Sequence, residues 1–385
     1  MNKELLLLRK LVSFNTDSST KSNYSECASF IKHHAEHLGF KARVVDGSSE
    51  CSDGLPRPNL VIEHDAGASE TLVLATHYDV VPAGDGWKTR PFELHIAGEK
   101  AFGRGTCDDK SNIVACLAAM RDLKKSKASK LNIKLLVTCD EEVGGDCGLG
   151  YLVNKLGVKA DAAVIVDAAP ELTIAASGVV FGRITVRGRQ GHAGYPHLAK
   201  NAIYSSFPLL GEMKKFSRIR EKHESAFKAE AGAPKKRVWG RFSITTIHSG
   251  DKENTIPGEL EAGFDMRLLP EEEPESAKRE LFKFFESAKL KAQADADITI
   301  TALHEGYYTD EGSKLVSNFK RVFGHGPVAT LGGNDGRFFA GKGIPVVSFG
   351  TIRPECNPHG ANEFVYLDDM ELVRHVLYGL CANWK

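Results

Sequence analysis

Five residues of the types that ligate divalent metals stand singly in widely separated stretches of the chain, each beside a turn or strand end. They are His77 in THYDVVP, Asp108 in GRGTCDDK, Glu142 in CDEEVGG, Asp167 in VIVDAAP and His359 in NPHGANE. Five oxygen and nitrogen donors exceed what one tetrahedral zinc accepts, but they suit two divalent ions if one carboxylate bridges and water fills the open positions. The chemistry of such a centre is hydrolysis. His77 and Asp79 are two apart, so at a strand end both side chains point the same way, and Asp79 can hold the other imidazole nitrogen. Asp108 follows Gly103 and Gly105 just ahead of a predicted helix, where it could cap the helix and face the site, or cap and nothing else. Glu141 and Glu142 are adjacent, flanked by Asp140 and followed by Gly144 and Gly145. That patch carries like-charge repulsion unless cations compensate it, and neighbouring glutamates can divide labour, one ligating and one moving a proton. Any one of these motifs alone is weak evidence, because isolated Asp, Glu and His residues near loops are usually solvated or structural.

The elements that must hold these residues follow from hydrophobic periodicity. Up to about residue 175, helical periods at 3–14, 22–39, 109–128 and 148–156 alternate with apolar runs at 41–45, 59–63, 71–76, 132–138 and 162–166. This is an α/β layer pattern, and the unbroken apolar runs read as buried strands. His77, the Glu141–Glu142 pair and Asp167 each follow the carboxyl end of such a strand, the edge at which open α/β sheets build their sites. Between 178 and 303 the order becomes β-α-β-β-α-β, that of a ferredoxin-like unit, with 220–237 reading as an exposed charged loop. The α/β pattern then resumes with a strand at 344–349 and a closing helix at 368–382. The expected organisation is a catalytic domain from 1–177 and 304–385, interrupted by a smaller domain at 178–303.

Composition narrows the partners. The chain has 385 residues, beyond the size at which one core usually stops growing. Lys plus Arg and Asp plus Glu both number 50, so no global field recruits nucleic acid or an anionic membrane. The opening MNKELLLLRK offers four leucines before Arg9, too few for a signal segment or a membrane span. The eight cysteines include no C-x-x-C pair and do not suggest a disulfide scaffold, so a cytoplasmic setting is expected.

The ordered set THYDVVP, GRGTCDDK, TCDEEVGG, VIVDAAP, GRQGHAGYPHLAKNAI, NTIPGE, GGNDGRF and PHGANE resembles the peptidase M20 metallohydrolases across nearly the whole chain. That group holds succinyl-diaminopimelate desuccinylase, acetylornithine deacetylase, aminoacylase, carboxypeptidase G2 and related dipeptidases. The resemblance implies a zinc-exopeptidase-like three-layer α/β catalytic domain with an inserted ferredoxin-like dimerisation and lid domain. It implies two metal ions, with His77 and Asp167 on opposite metals, Asp108 bridging, and Glu142 and His359 completing the set. Glu141 would be the general acid/base and Asp79 the partner of His77. In dimeric members the residue matching His192 reaches the partner subunit's active site, so a homodimer through 178–303 is expected. Zinc is the default metal for this donor set, with cobalt or manganese also fitting.

Asn254 in NTIPGE, Arg267 in DMRLLP and Arg337 in GGNDGRF are the candidate substrate contacts, since a guanidinium offers the fork a carboxylate needs. The expected substrate is an N-acylated amino acid of the succinyl-diaminopimelate or acetylornithine type, or a short peptide. GGNDGRF is close to the desuccinylase form of its block, whereas TIAASGVVFG lacks the arginine that desuccinylases carry there, and NPHGANE looks more like the peptidase and aminoacylase members. A dipeptidase, carboxypeptidase or general aminoacylase therefore stays open, as does a metal-containing binding module without turnover. Gly336 to Lys342 spells G-x-x-x-x-G-K, but Gly343 replaces the Ser or Thr a phosphate loop requires. Cys107, Cys139 and Cys356 lie near the ligands and read as packing rather than as soft ligands or thiol sensors.

Overall fold

A computed structural model describes residues 3–385. The chain divides into two compact units, one made of Met1–Ile174, Thr309–Val328 and Asn334–Lys385, the other of Ala175–Tyr308 with Ala329–Gly333. The second unit is therefore one long continuous segment and a short later return. Residues 329–333 join it because Ala329 bridges to Ala229 and the Gly332 carbonyl accepts the Ser177 N–H at 2.9 Å. Those are backbone pairings, which side-chain periodicity cannot show.

The larger unit is built on a mixed sheet. Six of that sheet's nine strands are Lys41–Asp46 (β1), Pro58–His64 (β2), Thr71–His77 (β3), Asn132–Thr138 (β4) and Ala162–Ile165 (β5), followed by Val346–Ser348. They lie in the order β1, β2, β4, β3, β5, Val346–Ser348. The three pairings that involve β3, β5 and Val346–Ser348 with their neighbours towards the sheet centre are parallel, while β1–β2 and β2–β4 are antiparallel. Parallel strands need cover on both faces, which explains the unbroken burial of Leu72, Val73 and Leu74 and of Ala163 and Val164. β1 lies at the sheet's edge and is mostly exposed, with Lys41 and Arg43 among its residues, charges that discourage edge-to-edge pairing. Helix Ser111–Ser126 is apolar almost all round and packs against the closing helix Leu367–Ala382, so both are interior.

The consequence for function is a common edge. His77 and Thr138 are register partners at the carboxyl ends of β3 and β4, and Ile165 of β5 pairs at the same end with Ala75 and Ser348. The chain segments bearing His77, Glu141, Asp167 and His359 all leave from that end.

The smaller unit has strands Val179–Arg187 (β6), Arg241–His248 (β7), Glu259–Arg267 (β8) and Ala296–His304 (β9), with helices Ala202–Arg220 and Pro274–Ala292. The sheet order β7, β8, β6, β9, all antiparallel, is the ferredoxin-like order. Alternate residues of β8, Leu260, Ala262, Phe264 and Met266, face a core completed by Leu209, Met213 and Phe216 of one helix and Leu281 and Phe285 of the other. Each helix starts on a side-chain cap, Asn201 accepting from Ile203 and Tyr204, and Glu273 from Glu275 and Ser276.

Several elements differ from expectation. The stretch 220–237 is not simply a loop, since Glu224–Lys228 pairs with Arg237–Trp239 as a hairpin with Ser225 and Val238 buried. Helix Lys314–Phe323 and a small sheet of His95–Ala97, Lys100–Phe102 and Phe364–Tyr366 were not expected either. Three-residue strands are too short to show a period. Cys51 and Cys147 form a disulfide, a pairing the cysteine spacing gave no sign of, while the other six cysteines are free and buried. Among the described residues no helix is long and apolar enough to cross a membrane.

Candidate metal centre

All five expected ligands belong to the larger unit, and the fold brings them together. Asp108 is the pivot: its Oδ1 lies 3.0 Å from His77 Nε2 and its Oδ2 lies 3.0 Å from His359 Nε2. Asp167 Oδ1 joins the His77 side at 3.8 Å, and Glu142 Oε2 joins the His359 side at 3.1 Å. One carboxylate thus faces two donor groups with one oxygen each. His77 is buried and His359 exposed, so the centre has a closed side and an open one.

Each side chain is aimed by its neighbours. His77 Nδ1 meets the Asp79 carbonyl at 3.0 Å and the Asp79 carboxylate at 3.3 Å, so Nδ1 carries the hydrogen and Nε2 turns its lone pair to the centre. Asp79, fully buried, also accepts the backbone N–H groups of Glu141 and Glu142 at 3.3 Å each. One aspartate therefore orients the histidine of β3 and the glutamate turn after β4. The turn begins at Asp140 in the left-handed region, φ 62°. The Asp140 carboxylate is held by Arg57, by Lys21 at 3.1 Å and by the Tyr24 hydroxyl at 3.1 Å.

Glu142 is committed to His359, whereas no side chain donates to the Glu141 carboxylate among the described residues. Arg337 donates to the Gly144 carbonyl in the same turn and lies over the Phe338 ring, 4.5 Å from its centroid. His192, Asn254 and Arg267 belong to the smaller unit. There His192 pairs with Thr255 across a short ribbon, and its Nδ1 accepts the Gly194 N–H at 3.0 Å, leaving Nε2–H as an exposed donor. Asn254 is exposed on the same ribbon and its carbonyl accepts the Ala193 N–H at 2.9 Å. Arg267 forks Asp265, Nε to Oδ1 at 2.9 Å and Nη2 to Oδ2 at 2.9 Å.

Sequence reading missed the residues that act through backbone. Glu363, fully buried, accepts the N–H groups of Gly105 at 2.9 Å, Cys107 at 2.9 Å and Asp108 at 3.2 Å, and pairs with Arg104 at 2.7 Å. Arg104 in turn donates to the His359 carbonyl at 3.1 Å. This pair fixes the loop of the central aspartate to the loop of its histidine. Asp109, joined to Asp108 by a cis peptide, accepts from Thr76 and Asn112 and so supports β3 from behind. The signal was present in GRGTCDDK and PHGANE, which carry an arginine and a glutamate, but nothing in their spacing pairs them.

Burial and mutual repulsion shift the ionisable groups of the centre. Burial pushes Glu142 up to about 7, with Asp108 adding to it against the His359 hydrogen bond. Burial and then Asp167 push Glu141 well above the usual carboxylate range. His359 is pushed up to about 10 by its hydrogen bonds to Asp108 and Glu142. Burial disfavours a charged His77, but Asp108, Asp167 and Asp79 outweigh it and raise its pKa. Carboxylates buried this close together repel one another, which is the electrostatic setting that favours a nearby cation. Two of the four donor clusters in the described residues whose atoms lie within 4.8 Å of one another, and so could hold a cation, are here: His77 with Asp109 and Asp167, and Asp108 with Glu142 and His359. Since Asp109 is already held by Thr76 and Asn112, Asp108 Oδ1 is the better third donor on the His77 side. The residues fit two divalent ions.

Comparison with known proteins agrees with this architecture. A succinyl-diaminopimelate desuccinylase of Sulfurimonas denitrificans is 32% identical over 343 residues, covering 85% of this chain and 88% of that protein. One from Hydrogenovibrio crunogenus is 28% identical over 407 residues, covering 100% and 99%. Among solved structures, an M20 family metallo-carboxypeptidase of Sulfolobus solfataricus superposes with a TM-score of 0.79 at 21% identity over 99% of both chains. A Bacillus subtilis dinuclear metal binding peptidase of the M20 family superposes at 0.68 with 13% identity over 99% of this chain and 97% of that one. The model of peptidase family M20/M25/M40 matches residues 73–383, and the chain belongs to that family.

Proposed function

We propose that this protein is a two-metal amidohydrolase that removes the acyl group from an N-acylated amino acid, of the desuccinylase or deacetylase kind. The observation that carries the two-metal part is Asp108, whose two oxygens face His77 and His359 at 3.0 Å each. His77, Asp108 and Asp167 would hold one ion, and Asp108, Glu142 and His359 the other. When bound, such ions supply Lewis acidity to the amide carbonyl and to the attacking water. Zinc fits the mixed imidazole and carboxylate donors, and cobalt or manganese fits them too.

The chain's own residues do the proton work. Glu141 takes the proton of the attacking water and returns it to the departing amine, which balances the addition of water across the C–N bond. What supports this role is the contrast with Glu142, which His359 engages while Glu141 stays unengaged. Asp79 keeps both the His77 ring and the two glutamates in place. His192, with Nε2–H free to donate, would stabilise the oxyanion, acting in a neighbouring subunit. Such a donor is worth about 3–4 kcal/mol of barrier. Arg337, Asn254 and Arg267 are proposed to hold the substrate's polar groups.

A homodimer through the smaller unit is supported by its surface. β7 is a mostly exposed sheet edge, and Tyr204 and Phe207 stand 69% and 60% exposed on the helix beside it. A cytoplasmic setting is proposed on the six buried free thiols, and the Cys51–Cys147 bond is the feature that runs against it. The test is amine release by protein reconstituted with two equivalents of zinc or cobalt, against N-succinyl-diaminopimelate, N-acetylornithine, N-acetylmethionine and dipeptides, with a chelated control. Chelator-sensitive turnover of one class selects the branch. Silence in verified two-metal protein refutes the reading and leaves a binding module.

A further inference from the structure

The Cys51–Cys147 bond joins two segments 96 residues apart in the chain, with their Cα atoms 6.2 Å from each other. Cys51 lies in the connection between β1 and β2, and Cys147 follows the turn that carries Glu141 and Glu142. Between Glu142 and Cys147 stand Gly144 and Gly145, both in the left-handed region at φ 110° and 69°. Glycine restrains the backbone least, so this is where the far side of the turn can swing. The near side begins at Asp140, and Cys51 Sγ lies 3.9 Å from Asp140 Oδ2. Both ends of the turn are thus fixed at one place, Asp140 by charge and Cys147 by a covalent bond.

The surroundings of the bond suit thiol–disulfide exchange. Cys51 is partly exposed and is followed by the exposed residues 52–56, so a thiol in solvent can reach its sulfur, whereas Cys147 is buried. Both sulfurs and an Asp140 carboxylate oxygen lie within 4.8 Å of one another, and Arg57 and Lys21 both end on that carboxylate. Cations beside a sulfur favour the thiolate, which is the leaving group of exchange. In a reducing compartment a disulfide that forms at all is as a rule catalytic or redox-sensing. We propose that the Cys51–Cys147 bond is a reversible redox clamp on the Glu141–Glu142 turn. Closed, it holds the turn for the metal position of Glu142 and His359; opened by a dithiol, it lets the turn swing and weakens that position. A thiolate of the reductant attacks Cys51 Sγ, the S–S bond breaks and Cys147 leaves as a thiolate. The reductant's second thiol then displaces Cys51, so two electrons and two protons pass to the protein and the reductant becomes a disulfide. Glutathione disulfide takes the electrons back and recloses the bond. The opened chain stays folded, since the Asn59 amide still donates to the Cys147 carbonyl at 2.9 Å and the Gly145 N–H to the Asp140 carbonyl at 2.7 Å. This regulation rests on the two-metal reading for its effect on metal, but not for the opening of the bond.

Native alkylation followed by mass spectrometry tests the bond itself. Protein treated with glutathione disulfide is expected to leave Cys51 and Cys147 unlabelled, and protein treated with excess dithiothreitol to take a label on both. Absence of the bond in the oxidised protein, or a bond that opens only in denaturant, overturns the proposal. Hydrogen exchange of metal-free protein tests the turn. Residues 141–150 are expected to exchange about ten-fold faster in reduced wild type and in the Cys51→Ser, Cys147→Ser double variant than in oxidised wild type, with β4 unchanged. Equal exchange in the oxidised and reduced protein overturns the proposal whether or not the variant folds. Chelator competition, with all reductant removed, then compares oxidised wild type with reduced wild type kept under argon and with the double variant. One of two metals is expected to be held about 10–100-fold more weakly in the opened forms, and equal affinities overturn the proposal. If no form binds two metals, the two-metal reading fails, while alkylation and exchange still judge the clamp.

Discussion

Glu142 gives its carboxylate to His359, and Glu141 beside it gives its own to no side chain, although both hang from the same aspartate by their backbone amides. Replacing Glu141 by Gln keeps the shape and removes the proposed base. The variant is expected to retain two metals per chain by elemental analysis and to lose about 10²–10⁴-fold in kcat. Unimpaired turnover would take Glu141 out of the role. The same residues set how metal uptake depends on pH. Without metal, His359 titrates at about 10, held up by Asp108 and Glu142, and so is charged at neutral pH. A ligating imidazole must be neutral, so binding expels that proton, and affinity rises as pH climbs towards 10. Zinc titrations in buffers of different ionisation enthalpy should reveal net proton release at pH 7, and heats independent of the buffer would contradict this. The residues that face the centre were legible in the sequence because His, Asp and Glu at strand ends are chemically conspicuous. Glu363 and Arg104 were not, because they work on backbone groups and on each other across 259 positions.

At the scale of elements, the centre depends on turns being held to the sheet edge. The turn after β4 is anchored by Asp140, in the left-handed region and buried against Arg57, Lys21 and Tyr24. Removing its carboxylate leaves Arg57 buried beside only Asp53, to which it donates at 2.6 Å. Asp140→Ala should therefore destabilise the chain by about 3–5 kcal/mol in denaturant unfolding, although Asp140 is not among the proposed ligands of the centre. A loss under about 1 kcal/mol would mean that the turn is held by Asp79 alone. The Glu363 tether is the counterpart on the other loop. Glu363→Gln keeps one acceptor oxygen and is expected to weaken metal affinity about 10–100-fold while sparing stability more than Glu363→Ala, as competition with a chelator would measure. Long elements such as β3, β4 and the helix Ser111–Ser126 were readable from apolar runs. The hairpin of 224–239 was hidden because its buried Ser225 and Val238 sit among charged neighbours that read as a solvated loop.

At the scale of the whole molecule, the smaller unit presents a surface its own core does not use. Tyr204, Phe207 and Gly211 lie on one face of the helix Ala202–Arg220, and a Cβ added to Gly211 would meet nothing within 4 Å. Tyr195 and Leu198, in the turn before that helix, are 59% and 62% exposed, and Ile247 of the edge strand is 54% exposed. A long exposed edge next to an apolar helix face is an aggregation hazard unless a second copy covers it, and a two-fold axis would pair edge with edge and helix with helix. A charge at the centre of that face should split the proposed dimer. Wild type is expected to sediment as a dimer at micromolar concentration, and Phe207→Glu as a folded monomer. If His192 serves a neighbouring subunit, the monomer also loses activity while keeping its metals. Mixing His192→Ala chains with Glu141→Gln chains separates the two ideas, since a mixed dimer then holds one site with both groups intact. Recovered turnover shows action across the interface, and its absence despite confirmed mixing confines His192 to its own chain.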